Sequence, residues 1–174
     1  MTFSLEWTHG TAELGELGRS ETRQASADEL TALASALEIL SCERLYARYE
    51  IAALGQGRFR LSGELEADVT QACVVTLDPV PGHIHEHFAV EFWPKQEPPS
   101  DAAGERAILT GADVEPIEGG RIDAGRIVFE HLSAALDPYP RKPGAEFRWD
   151  EAQGEEGAPA ESPFSVLAKL KEKK

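Results

Sequence analysis

The 174-residue sequence predicts an α+β fold: a mostly antiparallel sheet of about five strands, two helices packed on it, and a tethered C-terminal peptide. Three observations carry this. Two long alternating runs flank Gly55-Gln56-Gly57, the pattern of a hairpin with one wet and one buried face. Two stretches with capping residues and apolar side chains at helical spacing lie on either side of the strand-rich centre. An acidic, glycine-containing tract separates all of this from a short amphipathic C-terminal end. The expected organisation is one α+β domain over residues 1–149, a flexible acidic linker over 150–162, and a peptide over 163–174.

In chain order, Phe3, Leu5 and Trp7 alternate with polar residues and read as a first short strand. Gly10–Ser20 holds three glycines and reads as a loop. Ser26 with Glu29 three residues on is a capping box. With Leu30, Leu33, Ala34 and Leu37 it predicts a helix over about 27–38. Leu45, Ala47, Tyr49, Ile51 and Ala53 share one parity, as do Phe59, Leu61, Leu65, Ala67 and Val69 beyond the turn. A three-residue loop keeps both sets on one face, pairing residues whose numbers sum to 112; a two-residue loop would split them. That register places Arg48 opposite Glu64 and Arg44 opposite Asp68 on the wet face, a complementarity not used to choose it.

Next, the apolar run 71–77 and the alternating run 84–92 are expected to pair as antiparallel neighbours through Asp78-Pro79 and Pro81-Gly82. Ile84, Phe88, Val90 and Phe92 take the buried parity, and His83, His85, His87 and Glu91 the wet one. Residues 94–120 read as a long excursion, with one candidate short strand at 107–109. Asp123 can cap a second helix with Ile127, Val128, Leu132, Ala135 and Leu136 inward, stopped by Pro138.

Composition excludes some functions. Net charge is −14, and residues 1–149 alone carry 25 acids against 13 Lys and Arg, leaving −12. So acidic a domain repels phosphate backbones, which disfavours broad nucleic-acid binding. Arg44, Tyr46, Arg48, Arg58 and Arg60 share a wet face, but acids oppose Arg44 and Arg48, so the face reads as solvated ion pairs. No apolar run is long enough for a membrane span, and the N-terminus lacks the pattern of a secretion signal. Cys42 and Cys73 are therefore expected to be reduced thiols of a cytoplasmic protein. Cys73 reads as a buried structural thiol, since no nearby group in sequence would stabilise a thiolate.

Nucleophile, base and orienter cannot be named together, so the chain is expected not to be an enzyme and to need no cofactor. The competing class is a metal-dependent protein or enzyme built on His83, His85 and His87. Their imidazoles project to one side of a strand about 6.5–7 Å apart, with Glu91 further along as the remaining candidate ligand. Solvated histidines on an exposed strand explain the same pattern, so no metal site is assigned. Leu136-Asp-Pro-Tyr-Pro-Arg-Lys-Pro-Gly144 gathers Arg141 and Lys142 beside Tyr139 in a proline-stiffened loop that would lose little entropy on binding. Tyr and Arg are types that anchor interfaces, while a helix stop followed by a surface loop explains the same residues. Phe164, Leu167 and Leu170 form the stripe of the C-terminal peptide, too short to be a stable helix alone.

Three segments together resemble the YceD family of large ribosomal RNA subunit accumulation proteins. They are Cys73-Val-Val-Thr-Leu-Asp-Pro-Val80, Leu136-Asp-Pro-Tyr-Pro-Arg-Lys-Pro-Gly-Ala145 and Ser162-Pro-Phe-Ser-Val-Leu-Ala-Lys-Leu170, and the resemblance spans about residues 25–174. Many relatives carry Cys-x-x-Cys in the first motif; Thr76 stands at the second position here, so no role of a cysteine pair carries over. The resemblance implies a non-enzymatic factor supporting large-subunit rRNA accumulation and ribosome biogenesis in the cytoplasm. Its partner would be a ribosomal protein or assembly factor, with a possible local rRNA contact and no membrane. The 137–144 loop (Tyr139, Arg141, Lys142) and the C-terminal peptide (Phe164, Leu167, Leu170) are the expected partner-binding residues.

Overall fold

In the computed structural model, which describes residues 5–15, 18–95 and 113–146, the longest elements are those whose side chains alternate. The strands are β1 (Thr8–Gly10), β2 (Arg19–Gln24), β3 (Ser41–Gly55), β4 (Arg58–Ala72), β5 (Pro79–Pro94), β6 (Asp113–Ile117) and β7 (Arg121–Asp123). The helices are α1 (Thr11–Leu14), α2 (Ala27–Ala36) and α3 (Ala124–Ala135). Strands β2-β3-β4-β5-β6 form one sheet in that order, antiparallel except for the β5–β6 pair, and β1 pairs with β7 in a separate ribbon. The fold is α+β, as the periodicities predict.

The β3–β4 register agrees with the sequence reading: Ile51 faces Leu61, Ala47 faces Leu65, Tyr49 faces Gly63, Arg48 faces Glu64 and Arg44 faces Asp68. The loop differs in detail. Gly55 pairs with Arg58, so Gln56-Gly57 is a two-residue turn, and the register shift between Ala53 and Gly55 absorbs Leu54 as the extra residue. Turn plus bulge keeps the parity that a plain two-residue turn would have broken. Gly63 is required where it stands: a Cβ there would lie 2.3 Å from the Arg48 carbonyl oxygen and 2.7 Å from Tyr49 Cα.

The apolar sheet face is the core. Leu45, Ala47, Tyr49, Ile51, Leu61, Leu65, Ala67, Val69, Phe88, Val90 and Phe92 are buried together with Leu33 of α2 and Ile127, Val128 and Leu132 of α3. Both main helices start as predicted. Ser26 and Glu29 form the full capping box of α2, and Asp123 Oδ1 accepts the Arg126 N–H at 2.9 Å.

Several expectations fail, each for a physical reason. Leu5 and Trp7 are buried but precede β1; the Trp7 carbonyl instead accepts N–H groups of Ala124 and Gly125 at the start of α3. Gly10–Ser20 is not simply loop, since it contains α1 and the start of β2. β2 has no apolar residue to alternate, because as the sheet's edge strand it is held by backbone pairing to β3. The 71–77 run is not a strand paired with 84–92. β5 pairs with the whole of β4, from Phe59↔Phe92 to Ala72↔Pro79, and the connection is the turn 73–78. Pro81 and Gly82 lie inside β5, which tolerates proline there because β6 covers only Val90–Pro94 on its other side. The 94–120 excursion contains β6, whose Asp-Val-Glu-Pro-Ile lacks a readable alternation. The candidate strand at 107–109 lies outside the described residues, as do the linker and the C-terminal peptide with Phe164, Leu167 and Leu170.

Candidate functional site

The turn 73–78 and the loop 137–142 meet at one end of the sheet. The turn closes on itself first: Leu77 N–H donates to the Cys73 carbonyl at 2.9 Å, and Cys73 N–H to the Asp78 carbonyl at 2.8 Å. Leu77 is held at φ 62°, a left-handed conformation costly for a branched apolar residue and maintained only where surroundings fix it. The second loop then docks on it. Val74 N–H donates to the Pro140 carbonyl at 2.9 Å, Lys142 N–H to Cys73 Sγ at 3.4 Å, and Gln71 Nε2 to the Asp137 carbonyl at 2.9 Å. Asp78 Oδ2 accepts from both Lys142 Nζ at 3.0 Å and Thr76 Oγ1 at 3.1 Å. Asp137 shapes its own loop by accepting the Tyr139 N–H at 2.9 Å.

Cys73 is therefore the hub of this joint, which corrects the expectation that nothing stabilises its thiolate. Its side chain has no exposed surface, yet it lies outside the main core, covered by the two loops. The Lys142 N–H is the largest cause, followed by the Thr76 side chain and then the Thr76 and Val75 N–H groups. Together they bring its pKa down from 9.0 to about 6. Cys42 goes the other way, pushed up to about 11 by burial. The donor that matters most to Cys73 is 69 residues distant, so no local motif could have shown it.

What the joint presents to solvent is apolar and aromatic. Among the described residues the strongly exposed large hydrophobics are Leu40, Leu54, Val74, Leu77 and Tyr139. Val74 at 47%, Leu77 at 76% and Tyr139 at 72% all stand on the two loops. Leu40, whose N–H bonds to the Thr70 carbonyl at the end of β4, stands at the same end. Pro140 is buried beneath them, Arg141 is exposed, and the Lys142 ammonium is already engaged by Asp78. The structure thus brings Tyr139, Arg141 and Lys142 together and adds Leu77 and Val74, which the sequence reading placed in a strand.

Much of the other wet surface is ion-paired, although Arg48 stands opposite Glu64 without an ion pair between them. Arg44 bridges Asp68 at 2.7 Å and Glu66 at 3.3 Å, and its hydrogen bond holds the Asp68 carboxyl below its usual range. Arg60 pairs with Glu91, and Arg58 lies over the Trp93 ring at 5.7 Å. On the histidine strand His83 Nδ1 is 2.7 Å from Asp68, while His85 lies 3.5 Å from Glu64 and 5.0 Å, ring to ring, from His87. Glu91 is not the acid that joins the histidines, because Arg60 and Trp93 hold it. A buried polar contact went unforeseen: His9 bonds Tyr49 Oη at 2.9 Å, and burial lowers the His9 pKa.

An antiparallel-rich α+β domain in which the turn 73–78 and the loop 137–142, distant in sequence, are joined around one thiol defines the structural class. The chain belongs to the YceD family, described as Large ribosomal RNA subunit accumulation protein YceD, whose family model matches residues 61–171. That match contains both loops of the joint. No curated protein and no solved structure matches the chain. Among the described residues no helix is long and apolar enough to cross a membrane.

Proposed function

We propose that the protein supports large-subunit rRNA accumulation as a non-enzymatic binding factor in the cytoplasm, and that the joined 73–78 and 137–142 loops are its contact surface. The observation that carries this is the convergence of Val74, Leu77 and Tyr139, all exposed, on a rigidly hydrogen-bonded joint. Exposed aromatic and branched side chains on a preorganised loop lose little entropy when a partner covers them. The partner is a basic ribosomal protein or assembly factor, drawn by the charge of −14, with Arg141 available for a local rRNA contact at the rim. The paired arginines of the sheet face argue against RNA coating that face.

The test is affinity isolation of N-terminally tagged protein from cells at low and moderate salt, reading bound protein and RNA. Wild type is expected to recover a ribosomal or assembly protein, with recovery falling as salt rises. Replacing Tyr139, Arg141 and Lys142 together by Ala is expected to lower it at least about tenfold, as losing one or two interface anchors does. Unchanged recovery and unchanged cellular rRNA would remove the loop from the contact surface. Deleting residues 162–174 examines Phe164, Leu167 and Leu170 in the same assay.

A further inference from the structure

We propose that Glu64, His85 and His87 form a surface site for a zinc-class divalent cation. Strand geometry brings them together. His85 and His87 are two residues apart on β5 and so project to the same side, and Glu64 on β4 is the direct register partner of His87. One donor atom from each lies within 4.8 Å of the others. Ligand atoms of a tetrahedral ion with bonds of about 2.0–2.2 Å sit about 3.3–3.5 Å apart. The remaining gap, at most about 1.5 Å, closes by rotation of exposed side chains.

The neighbouring groups explain why these three, and not the run His83-x-His85-x-His87, make the site. Asp68 and Glu66, the acids facing His83 and His85 across the strands, are both bridged by Arg44, and Asp68 also holds His83. Among the described residues the ion-pair contact of Glu64 is His85 alone, at 3.5 Å, so its carboxylate is the least committed of the three acids. Arg48 faces Glu64 from β3 but lies beyond ion-pair distance, and the protein's net charge of −14 favours a cation near the surface. Two imidazoles and one carboxylate suit zinc and its borderline neighbours and not magnesium or calcium. β6 pairs only with Val90–Pro94, so the outer edge of β5 beside His85 and His87 is uncovered among the described residues. The fourth coordination position is left to water or to a donor from another molecule.

The experiment uses full-length protein with any histidine tag removed. Titration with zinc is followed by calorimetry, and titration with cobalt by its visible ligand-field absorption. One saturable site is expected, with thermal stability that rises with zinc and returns to the starting value on chelation. His87→Ala and Glu64→Gln should each weaken binding at least about tenfold, while His83→Ala should leave it within about twofold. All three positions are at or near the surface, and far-ultraviolet circular dichroism of the metal-free variants checks that each folds. No saturable uptake, full affinity in folded His87→Ala, or an equal loss in His83→Ala would overturn the assignment. This site and the loop joint share no residue, so either can fail alone.

Discussion

Two turns connect successive strands of the same sheet, and they are built in opposite ways. Gln56-Gly57 joins β3 to β4 through three successive left-handed residues, Gly55 at φ 81°, Gln56 at 54° and Gly57 at 71°, two of them glycine, and the flanking alternation sets its register. Residues 73–78 join β4 to β5 with no glycine, put Leu77 at φ 62°, and rely on Pro140 and Lys142 from far along the chain. The first turn is a local solution. The second is held by a distant loop in a conformation it would not choose alone.

The largest effect separating the turns is expected from Cys73→Ala. Removing Sγ leaves the Lys142 N–H without its acceptor and opens space under both loops. The melting temperature should fall by about 3–6 °C, and hydrogen exchange at the Val74 and Lys142 amides should accelerate together. If those amides stay protected, the joint does not depend on the thiol.

Gly57→Ala should have a smaller, confined effect. Its φ of 71° costs a non-glycine residue about 1 kcal/mol, and a new Cβ would meet Pro94 Cγ at 3.2 Å. A fall of about 2–4 °C is expected, with Val74 exchange unchanged. Accelerated exchange at Val74 would show that the two turns are coupled through β4.

The subtlest distinction is in pH. Cys73 is lowered from 9.0 to about 6 in the fold, so the folded state holds fewer protons there than the unfolded chain between those values. Its contribution is whole above pH 9 and is lost as pH falls through 6. His9 is also lowered, from 6.5, because burial disfavours its cation. Its contribution is whole above pH 6.5 and is lost as pH falls from 6.5 towards the folded value. Stability measured by denaturant should therefore rise between pH 7 and 9 in wild type, and this part of the slope should vanish in Cys73→Ala. A slope that survives the substitution would place its origin elsewhere.

The same contrast explains what could be read from sequence. The β3–β4 hairpin was legible because its apolar residues alternate on both sides of a glycine turn, and even the bulge at Leu54 left parity intact. The helix starts were legible because Ser26 and Asp123 cap within three residues of themselves. β2 was illegible because Arg-Ser-Glu-Thr-Arg-Gln buries nothing and depends on partners 22 to 32 residues away to exist. At the site, Tyr139 and Arg141 stood out as interface types, with Lys142 a second base beside them, against an acidic background. Leu77 did not, because an apolar run looks like a buried strand until Cys73 is seen to fold it back. The histidines were legible, but Glu64 became their companion only through the β4–β5 register.

The distance between Cys73 and Lys142 has a consequence during synthesis. At about 5–20 residues per second, the 69 residues separating them take about 3–14 s to emerge from a translating ribosome. Hairpins form in microseconds, so β3 and β4 can pair long before the covering loop has been made. Through that interval a nascent chain carries its Cys73 turn bare, and the joint is the last part of the sheet's end to be completed.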